Sequence, residues 1–412
     1  MRGYAAVLAL PGLRRLVGGQ ALARIAQQMA SVALVLYVLE RFGSPPLAGI
    51  VLFLSIAPGL LVSPFAGALL DRHGRVRLIT VDYVIAAISL GLIVILGAVG
   101  LLPAAVLCVL VALASLTNPL SNSGTRSLFP VVVPRHLWDR ANALDSGGYL
   151  VAAIVGPALA GVLAGLIRPA AALGATAAFD LAAALVVAGV ALVPGPPAQS
   201  RGLVGDARDG VAFLLRSRSL RSLAITLSTF NLGFGIVTVA LPVLVLRDLG
   251  GGSGEVGVLF AVLGGGGIVG GLIAGGIDSE GRERHHMVVG FAIAAIGLAL
   301  MIPGSHLALV VIGMALLGAG NGPVDIGLFA LRQRRTPVAW TGRVFAVSMA
   351  FNFSGTPIGA GIGGALADHS TAACFAIAAL LAAVSAALSW WAIPARAEAP
   401  PQVGAGRARA AH

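Results

Sequence analysis

The chain has 412 residues, of which 58% are hydrophobic and only 10% are charged, and its formal net charge is +11. Soluble domains carry about 25% charged residues, so this composition excludes an ordinary soluble enzyme, and the large apolar fraction excludes a disordered chain. The two cysteines, Cys108 and Cys374, both lie in apolar runs and provide neither a disulfide framework nor a metal cluster, so we expect no cofactor and no metal. The sequence therefore predicts a polytopic membrane protein.

Twelve apolar runs, separated by charged or Pro/Gly-rich breaks, approach or exceed the roughly 20 helical residues needed to cross a bilayer. They cover residues 16–40, 46–70, 77–99, 101–125, 141–167, 170–193, 221–247, 254–278, 286–303, 305–331, 342–367 and 371–393. The first run contains Arg24, Gln27 and Gln28 and has no convincing small-residue cleavage site, so we expect it to remain as a span. The predicted fold class is an all-α membrane protein with twelve transmembrane helices.

The basic residues are all arginine, and they fall almost entirely into every second loop. The opposite loops hold only Arg41, Arg168 and Arg247. Because cytoplasmic loops retain positive charge, both termini are predicted to be cytoplasmic, and the net charge follows from membrane topology. The arginines are scattered among short loops without interleaved aromatic residues, which argues against a nucleic-acid partner.

Residues 194–220 interrupt the series of spans at its middle. A Pro-Gly-Pro-Pro run at 194–197 ends span 6, and in the segment 201–221 apolar residues at helical spacing stand beside arginines. This pattern predicts an amphipathic helix on the inner membrane surface. The predicted domains are an N-terminal six-helix bundle (1–193), a cytoplasmic linker (194–220), a C-terminal six-helix bundle (221–393) and a disordered cytoplasmic tail (394–412).

The two predicted bundles repeat several local patterns. An Asp-x-x-Gly-Arg-x-Arg tract follows span 2 and recurs with identical spacing after span 8. Its residues are Gly67, Asp71, Arg72, Gly74, Arg75 and Arg77 in the first copy and Asp278, Gly281, Arg282 and Arg284 in the second. Pro119 and Pro157 of spans 4 and 5 likewise correspond to Pro323 and Pro357 of spans 10 and 11. Duplicated halves are typical of secondary transporters whose site lies between the repeats.

With these motifs the sequence resembles the major facilitator superfamily, because the tract 67–77 is similar to that family's signature loop between helices 2 and 3. The resemblance implies two pseudo-symmetric six-helix bundles that work by alternating access. Asp71 at a helix end can accept hydrogen bonds from arginines or face the positive N-terminus of a neighbouring helix. We expect the loop and its copy to act as a gate latch that holds the two halves together on the cytoplasmic side.

A narrower resemblance, to the drug-efflux branch that includes the macrolide and enterobactin exporters, covers nearly the whole chain. The tracts that carry it are 19–20, 140–145, 156–161, 333–337 and 342–345, together with Pro130 and Pro134. In that family the Gly-Pro motif of helix 5, here Gly156 and Pro157 with Gly161, is associated with export in exchange for protons. Such exporters often show Gly-Asp in helix 1 where this chain has Ala26 and Gln27, so span 1 lacks that acidic proton carrier.

Polar residues at helical spacing within the spans are the expected substrate contacts. A polar stripe facing lipid is costly, so it must face a neighbouring helix or a wet cavity. The residues expected to line the substrate cavity are Gln20, Arg24, Gln27, Ser31, Asn118, Asn122, Asn321, Asp325 and Asn352. For any single Asn or Gln, the alternative is a hydrogen bond between helices.

Charged residues inside spans are stronger functional candidates than neutral polar ones, because a charge at the bilayer centre costs about 2.5–3.5 kcal/mol. Helices 1, 4, 7 and 10 line the cavity in the superfamily, so the resemblance favours Arg24 and Asp325 as cavity residues. Arg24 suits an anionic substrate, or it serves as the partner of a protonatable aspartate. Asp325 is the first candidate for proton coupling, followed by Asp180 and Asp145; Asp82 and Asp180 are alternatively a structural pair.

The predicted function is export of small amphipathic, drug-like molecules by proton antiport. Siderophore or metabolite export is the alternative, followed by uptake and by a non-transporting membrane sensor. The spans contain no cluster of side chains able to run hydrolysis or group transfer, so we expect no enzyme activity. The expected partners are a small-molecule substrate, protons and the lipid bilayer, and the expected form is a monomer in the bacterial cytoplasmic (inner) membrane.

Overall fold

The computed structural model describes residues 10, 12–133, 137–190, 211–304, 306–336 and 341–394, and in these ranges the chain is all-helical. Its helices of ten or more residues are α1 (Leu13–Phe42), α2 (Pro45–Leu54), α3 (Ala57–His73), α4 (Arg75–Ala98), α5 (Ala104–Val132), α6 (Trp138–Leu166), α7 (Pro169–Ala188), α8 (Arg218–Val243), α9 (Ser253–Gly275), α10 (Glu283–Leu300), α11 (Leu307–Arg335), α12 (Thr341–Ala367) and α13 (Thr371–Trp391). Residues 211–216 form a further short helix ahead of α8. Most of the predicted linker, the tail from 395 onwards, and Pro134 and Pro337 lie outside the described residues.

Eleven helical stretches of the described chain are long and apolar enough to cross a membrane. They coincide with predicted spans 1 to 10 and 12, and α2 with the start of α3 forms one of them, Pro45–Ser63. Predicted span 11 forms α12, which is not among the eleven. The all-helical membrane architecture is therefore confirmed, while the count of twelve and the cytoplasmic termini stay predictions.

Proline interrupts the second predicted span but not the others. α2 ends at Leu54 and α3 begins at Ala57, with Pro58 in the first turn of α3. Proline is tolerated in a first turn because its missing N–H has no intrahelical partner there, whereas in a helix interior it removes a hydrogen bond. Pro157 and Pro323 nevertheless lie inside continuous helices, and α8 passes from Pro242 into a π-helical turn, Leu244–Asp248.

The contacts group the described chain into two compact units. The first contains the residues up to 190 with 238–264 and 360–369. Within it α1 packs against α6 and α7, and α4 packs against α5 and α7. Its apolar core includes Leu16 and Ala23 of α1, Tyr83 of α4 and Ala184 of α7.

The second unit contains residues 211–237, 265–359 and 370–394. In this unit α10 packs against both α11 and α13. A Cβ built at Gly290 of α10 would lie 2.4 Å from the carbonyl oxygen of Gly320 of α11, so glycine is what allows these two backbones to touch. The rings of Phe230 and Phe291, with centroids 4.9 Å apart, join α8 to α10.

A similar glycine crossing occurs in each half of the chain. A Cβ at Gly156 of α6 would lie 2.6 Å from Cβ of Gln28 and 3.0 Å from the carbonyl oxygen of Ile25, both on α1. A Cβ at Gly355 of α12 would lie 2.0 Å from the carbonyl oxygen of Ser228 on α8. The fifth predicted span thus packs closely on the first at Gly156. The eleventh packs closely on the seventh at Gly355, because neither glycine carries a side chain.

Candidate functional site

An ion pair joins α1 to α6 within the first unit. Nη2 of Arg24 lies 2.8 Å from Oδ1 of Asp145, and Nη1 of Arg24 donates to the backbone carbonyl of Asp145 at 2.6 Å. The guanidinium also lies 5.8 Å from the ring centroid of Tyr149, one turn further along α6. The two side chains are only 14% and 19% exposed, so the charges are largely withdrawn from water.

This contact determines how Arg24 is available to a ligand. A charge-assisted hydrogen bond is about twice as strong as a neutral one, and a buried pair is strongly destabilised when either partner is removed. An anionic ligand must therefore compete with Asp145 for Arg24. In the structure Arg24 is the ion-pair partner of an aspartate.

Two further carboxyl groups lie deep in the first unit. Asp82 of α4 is 1% exposed and Asp180 of α7 is 7% exposed, and the two interact electrostatically. The hydroxyls of Thr117 and Ser121 on α5 lie against Asp82. This arrangement brings together the two residues that the sequence suggested as a structural pair, in a helix core rather than on an exposed face.

Two charged residues of the second unit, Asp325 and Arg332, lie on α11. Asp325 is exposed although it lies within a membrane-spanning helix, whereas Arg332, two turns later, is completely buried. The two groups interact electrostatically. A carboxyl group facing lipid is costly, so the exposed side of Asp325 is expected to meet water.

Arg332 belongs to a polar network that reaches α12 and α8. With the Asn352 amide oriented to satisfy both of its ends, Arg332 Nη2 donates to Oδ1 of Asn352 at 2.6 Å, and Nδ2 of Asn352 donates to the carbonyl of Ser348 at 3.0 Å. Nδ2 of Asn231 donates to the backbone carbonyl of Asn352 at 2.8 Å. Asn352 is thus buried between helices, which is the alternative to a cavity-lining role.

Sequence reasoning missed Arg332, because the predicted span ended at 331 and the arginine was assigned to a cytoplasmic loop. That prediction was wrong: α11 continues to Arg335, and Leu328, Leu331 and Arg332 are buried in it. Buried apolar residues at helical spacing through Leu331 were the available signal. Because the positive-inside rule was applied to all arginines at the ends of spans, Arg332 was counted as a loop residue.

The remaining predicted cavity residues are distributed between buried and exposed positions. On α1, Gln20 is 5% exposed, Gln27 is exposed, and the Ser31 hydroxyl donates to the carbonyl of Gln28. Asn122 is exposed, whereas Asn118 and Asn321 are half-buried. No described contact brings these side chains together around one ligand-sized space.

The two copies of the gating motif form tight turns. Gly74 has φ +89° and Gly281 has φ +69°, values that L side chains rarely adopt. In the second copy, Oδ1 of Asp278 accepts a hydrogen bond from the backbone N–H of Glu280 at 3.0 Å. In the first copy Arg72 is exposed, and the Asp71 side chain lies outside the described part of the structure.

The glycines of the Gly-Pro motif are points of helix contact. Gly156 meets α1, as described above, and Gly161 meets α9: a Cβ at Gly161 would lie 2.2 Å from Cα of Gly257. One turn further, a Cβ at Gly165 would lie 2.7 Å from the backbone nitrogen of Gly254. All these residues belong to the first unit, and the contacts of Gly161 and Gly165 with α9 lie towards the side that the arginine distribution predicts to be external.

A cavity of about 1100 Å³ lies on that same side of the first unit. Apolar residues of α1, α6 and α9 form much of its wall, and its charged residues are Glu40, Arg168, Arg247, Glu255 and Asp368. Arg247 donates to the carbonyls of Ala367 and Asp368, so it caps the end of α12.

Comparison with known proteins identifies relatives along nearly the full chain. A family model described as Major Facilitator Superfamily matches residues 16–278 and 223–411. An uncharacterized MFS-type transporter, y4rN of Sinorhizobium fredii, is 38% identical over 95% of this chain and 97% of its own.

Two more distant relatives are efflux proteins. Macrolide efflux protein A of Streptococcus pyogenes is 22% identical, with 85% and 88% of the two chains covered. Multidrug efflux pump Tap of Mycobacterium tuberculosis is 28% identical over 82% of each chain. Among solved structures, nucleoside transporter NupG superposes with a TM-score of 0.70 at 12% identity, covering 91% of this chain and 96% of its own, which shows the fold alone.

Proposed function

The chain belongs to the major facilitator superfamily, and on that premise we propose that it exports small amphipathic, drug-like molecules by alternating access in exchange for protons. It is a multi-pass membrane transporter, and we place it in the bacterial cytoplasmic membrane. Relatives that are macrolide and multidrug efflux proteins support the direction and the substrate class. The Gly-Pro motif in α6 supports antiport.

The position of Asp325, an acidic residue of α11 that is exposed and lies within the membrane-spanning helix, is the observation that carries proton coupling. A group that exchanges protons during transport must be reachable from water, yet lie inside the membrane-spanning region. Asp325 lies within the span and is an exposed residue, and no ion pair within the described residues engages it, which supports this role. Asp325 is therefore the primary proton site of the proposal.

Asp145 and Asp180 are the secondary proton sites. Asp145 holds Arg24 in an ion pair, so loss of that contact would free Arg24 for an anionic or electron-rich part of the substrate. Asp180 is buried in the apolar core and interacts electrostatically with Asp82, so the charge of one carboxyl depends on the charge of the other. The substrate contacts are drawn from Gln20, Gln27 and Asn122, whose neutral amides can both donate and accept hydrogen bonds.

Flux into inverted membrane vesicles tests the proposal. The wild-type protein is expected to accumulate a lipophilic cationic dye or a macrolide only while an inward proton gradient exists, and to lose accumulation on addition of an uncoupler. Asp325→Asn is expected to abolish gradient-driven accumulation while retaining substrate exchange, because the amide cannot release a proton. The matched control Glu40→Gln changes an exposed carboxyl at the end of α1 and is expected to behave as the wild type.

Two results contradict the proposal. Accumulation that survives the uncoupler excludes proton antiport. Substrate-induced proton release that persists in Asp325→Asn excludes this residue as the proton site. A screen that covers drugs, siderophores and metabolites in an efflux-deficient host separates drug export from the alternatives.

A further inference from the structure

Arg332 is an arginine with no exposed surface near the end of a membrane-spanning helix. Arginines at such positions normally extend to the membrane surface, where their charge is hydrated. The buried guanidinium instead donates to Asn352 on the neighbouring helix α12, at 2.6 Å. It therefore connects α11 to α12 rather than anchoring α11 to the interface.

Asp325 of α11 interacts electrostatically with the same guanidinium. Seven residues of α-helix make two turns within about 20°, so Asp325 and Arg332 share one face with about 10.5 Å of rise between them. Long side chains in helices point towards the N-terminus, which directs Arg332 back along the helix towards Asp325. The electrostatic interaction between the two groups agrees with this placement.

The Asn352 end of the contact is connected to α8. Asn231 of α8 donates to the backbone carbonyl of Asn352, and Gly355, three residues further, brings the backbones of α12 and α8 together. The hydroxyl of Ser348 is completely buried one turn earlier on α12, and within the described residues it has no hydrogen-bond partner. It is a second acceptor for Arg332 if the guanidinium moves.

We propose that Arg332 is a positioning residue that couples the charge of Asp325 to the contact between α11 and α12. This rests on the proposed role of Asp325 as the proton site. When Asp325 is neutral, the guanidinium is held by Asn352 and ties the two helices together. When Asp325 is ionised, the carboxylate attracts the guanidinium along α11 and the tie to Asn352 weakens. The protonation state of Asp325 thereby sets how tightly α11 and α12 are held together.

Several other charged groups lie near this end of α11. Asp278 and Glu280 interact electrostatically with Arg334, and Arg335 donates to the Ser219 hydroxyl and to the Pro394 carbonyl. On α10, Glu283 is paired with Arg334, and His286 is buried against Gly327 of α11. Neither the stretch 265–275 of α9 nor the stretch 347–359 of α12 contains a titratable side chain. Within the described residues, Asp325 interacts electrostatically with Arg332 and takes part in no ion pair, so its charge can change without breaking one.

A double-mutant cycle measures the coupling directly. The full-length protein is purified in detergent, and thermal unfolding temperatures are compared for wild type, Arg332→Gln, Asn352→Leu and the double variant, at low and at high pH. The effects of the two single changes are expected to be non-additive at low pH and nearly additive at high pH. In an Asp325→Asn background, non-additivity is expected at both pH values, because the carboxylate is absent.

The control cycle pairs Asn352→Leu with Arg334→Gln, whose partner is Glu283, and additivity is expected at every pH. If Arg332→Gln fails to fold, Arg332→Lys replaces it, since lysine keeps the charge but not the planar fork that reaches two acceptors. The proposal is overturned if the effects of the Arg332 and Asn352 changes are additive in all backgrounds. It is also overturned if their non-additivity is the same at low and at high pH.

The flux assay distinguishes the two proposals. Normal proton-driven transport in Asp325→Asn refutes the proposed proton site, whatever the cycle shows. Loss of transport in that variant with a pH-independent cycle refutes only the role of Arg332.

Discussion

The crossing of α6 and α9 at Gly161 and Gly257 makes a quantitative prediction about alternating access. In Gly161→Ala the new Cβ would lie 2.2 Å from Cα of Gly257 and 2.5 Å from its nitrogen. Favourable carbon–carbon contacts begin near 3.5 Å, so the helices must separate by about 1.3 Å at this point. The atoms in the way belong to the backbone, and no rotamer change can relieve the clash.

Overpacking of this kind costs about 1–3 kcal/mol. The cost falls only on the conformation in which the two glycines touch, so the population of that conformation decreases by about 5- to 150-fold relative to one in which they separate. Alanine also raises intrinsic helix stability by roughly 0.5–1 kcal/mol, and this gain is the same in both conformations. Gly161→Ala is therefore expected to open the predicted external side.

Thiol labelling measures the opening. A cysteine replaces Ala164, which is 5% exposed and lines the external cavity, in a background with Cys108→Ser and Cys374→Ala. Gly161→Ala is expected to raise the rate of labelling by a membrane-impermeant maleimide added from outside. Gly174→Ala in α7 is the matched control, because a Cβ there meets nothing within 4 Å. Equal labelling rates in Gly161→Ala and in the control would refute the reasoning.

Three further predictions concern the ion pair and the two turns. Arg24→Gln or Asp145→Asn alone is expected to lower the unfolding temperature, with a loss of stability below the roughly 3–5 kcal/mol of a fully buried pair. The double variant is expected to recover stability, and additive losses from the two changes would contradict this. Gly281→Ala is expected to destabilise the protein by about 1–2 kcal/mol because its φ is positive, measured against Gly265→Ala, where a Cβ meets nothing. Asp71→Asn is expected to weaken the outward-open state if the signature loop is a latch, and unchanged cysteine accessibility on both sides of the membrane would count against it.

Features that depend on neighbouring residues in the chain could be predicted from the sequence. Apolar runs near the bilayer thickness identify the helices, since in lipid each backbone polar group must be satisfied within its own segment. The repeated Asp-x-x-Gly-Arg-x-Arg pattern marked a loop after a span in each half, and Gly74 and Gly281 in these loops both adopt a positive φ. Local sequence was sufficient because a turn is a local structure.

Residue roles that depend on distant partners were only partly predictable. Arg24 was recognised as a charge that needed a partner, but Asp145 is 121 residues away and only the packing of α1 on α6 brings them together. Asn352 was predicted in the cavity and is buried in a helix contact instead. A polar stripe shows that a face avoids lipid, and it does not show whether that face meets water or another helix.

Hydropathy, charge asymmetry and duplicated motifs by themselves determined the membrane class, the positions of the spans and the family, because bilayer thickness and loop charge act on each segment separately. Only the tertiary structure decided that Arg332 lies inside α11, that Asp82 meets Asp180, and that the motif glycines are contact points between backbones. These properties arise from pairs of helices remote in sequence, whose approach depends on the shape of both surfaces and is not encoded in either segment alone.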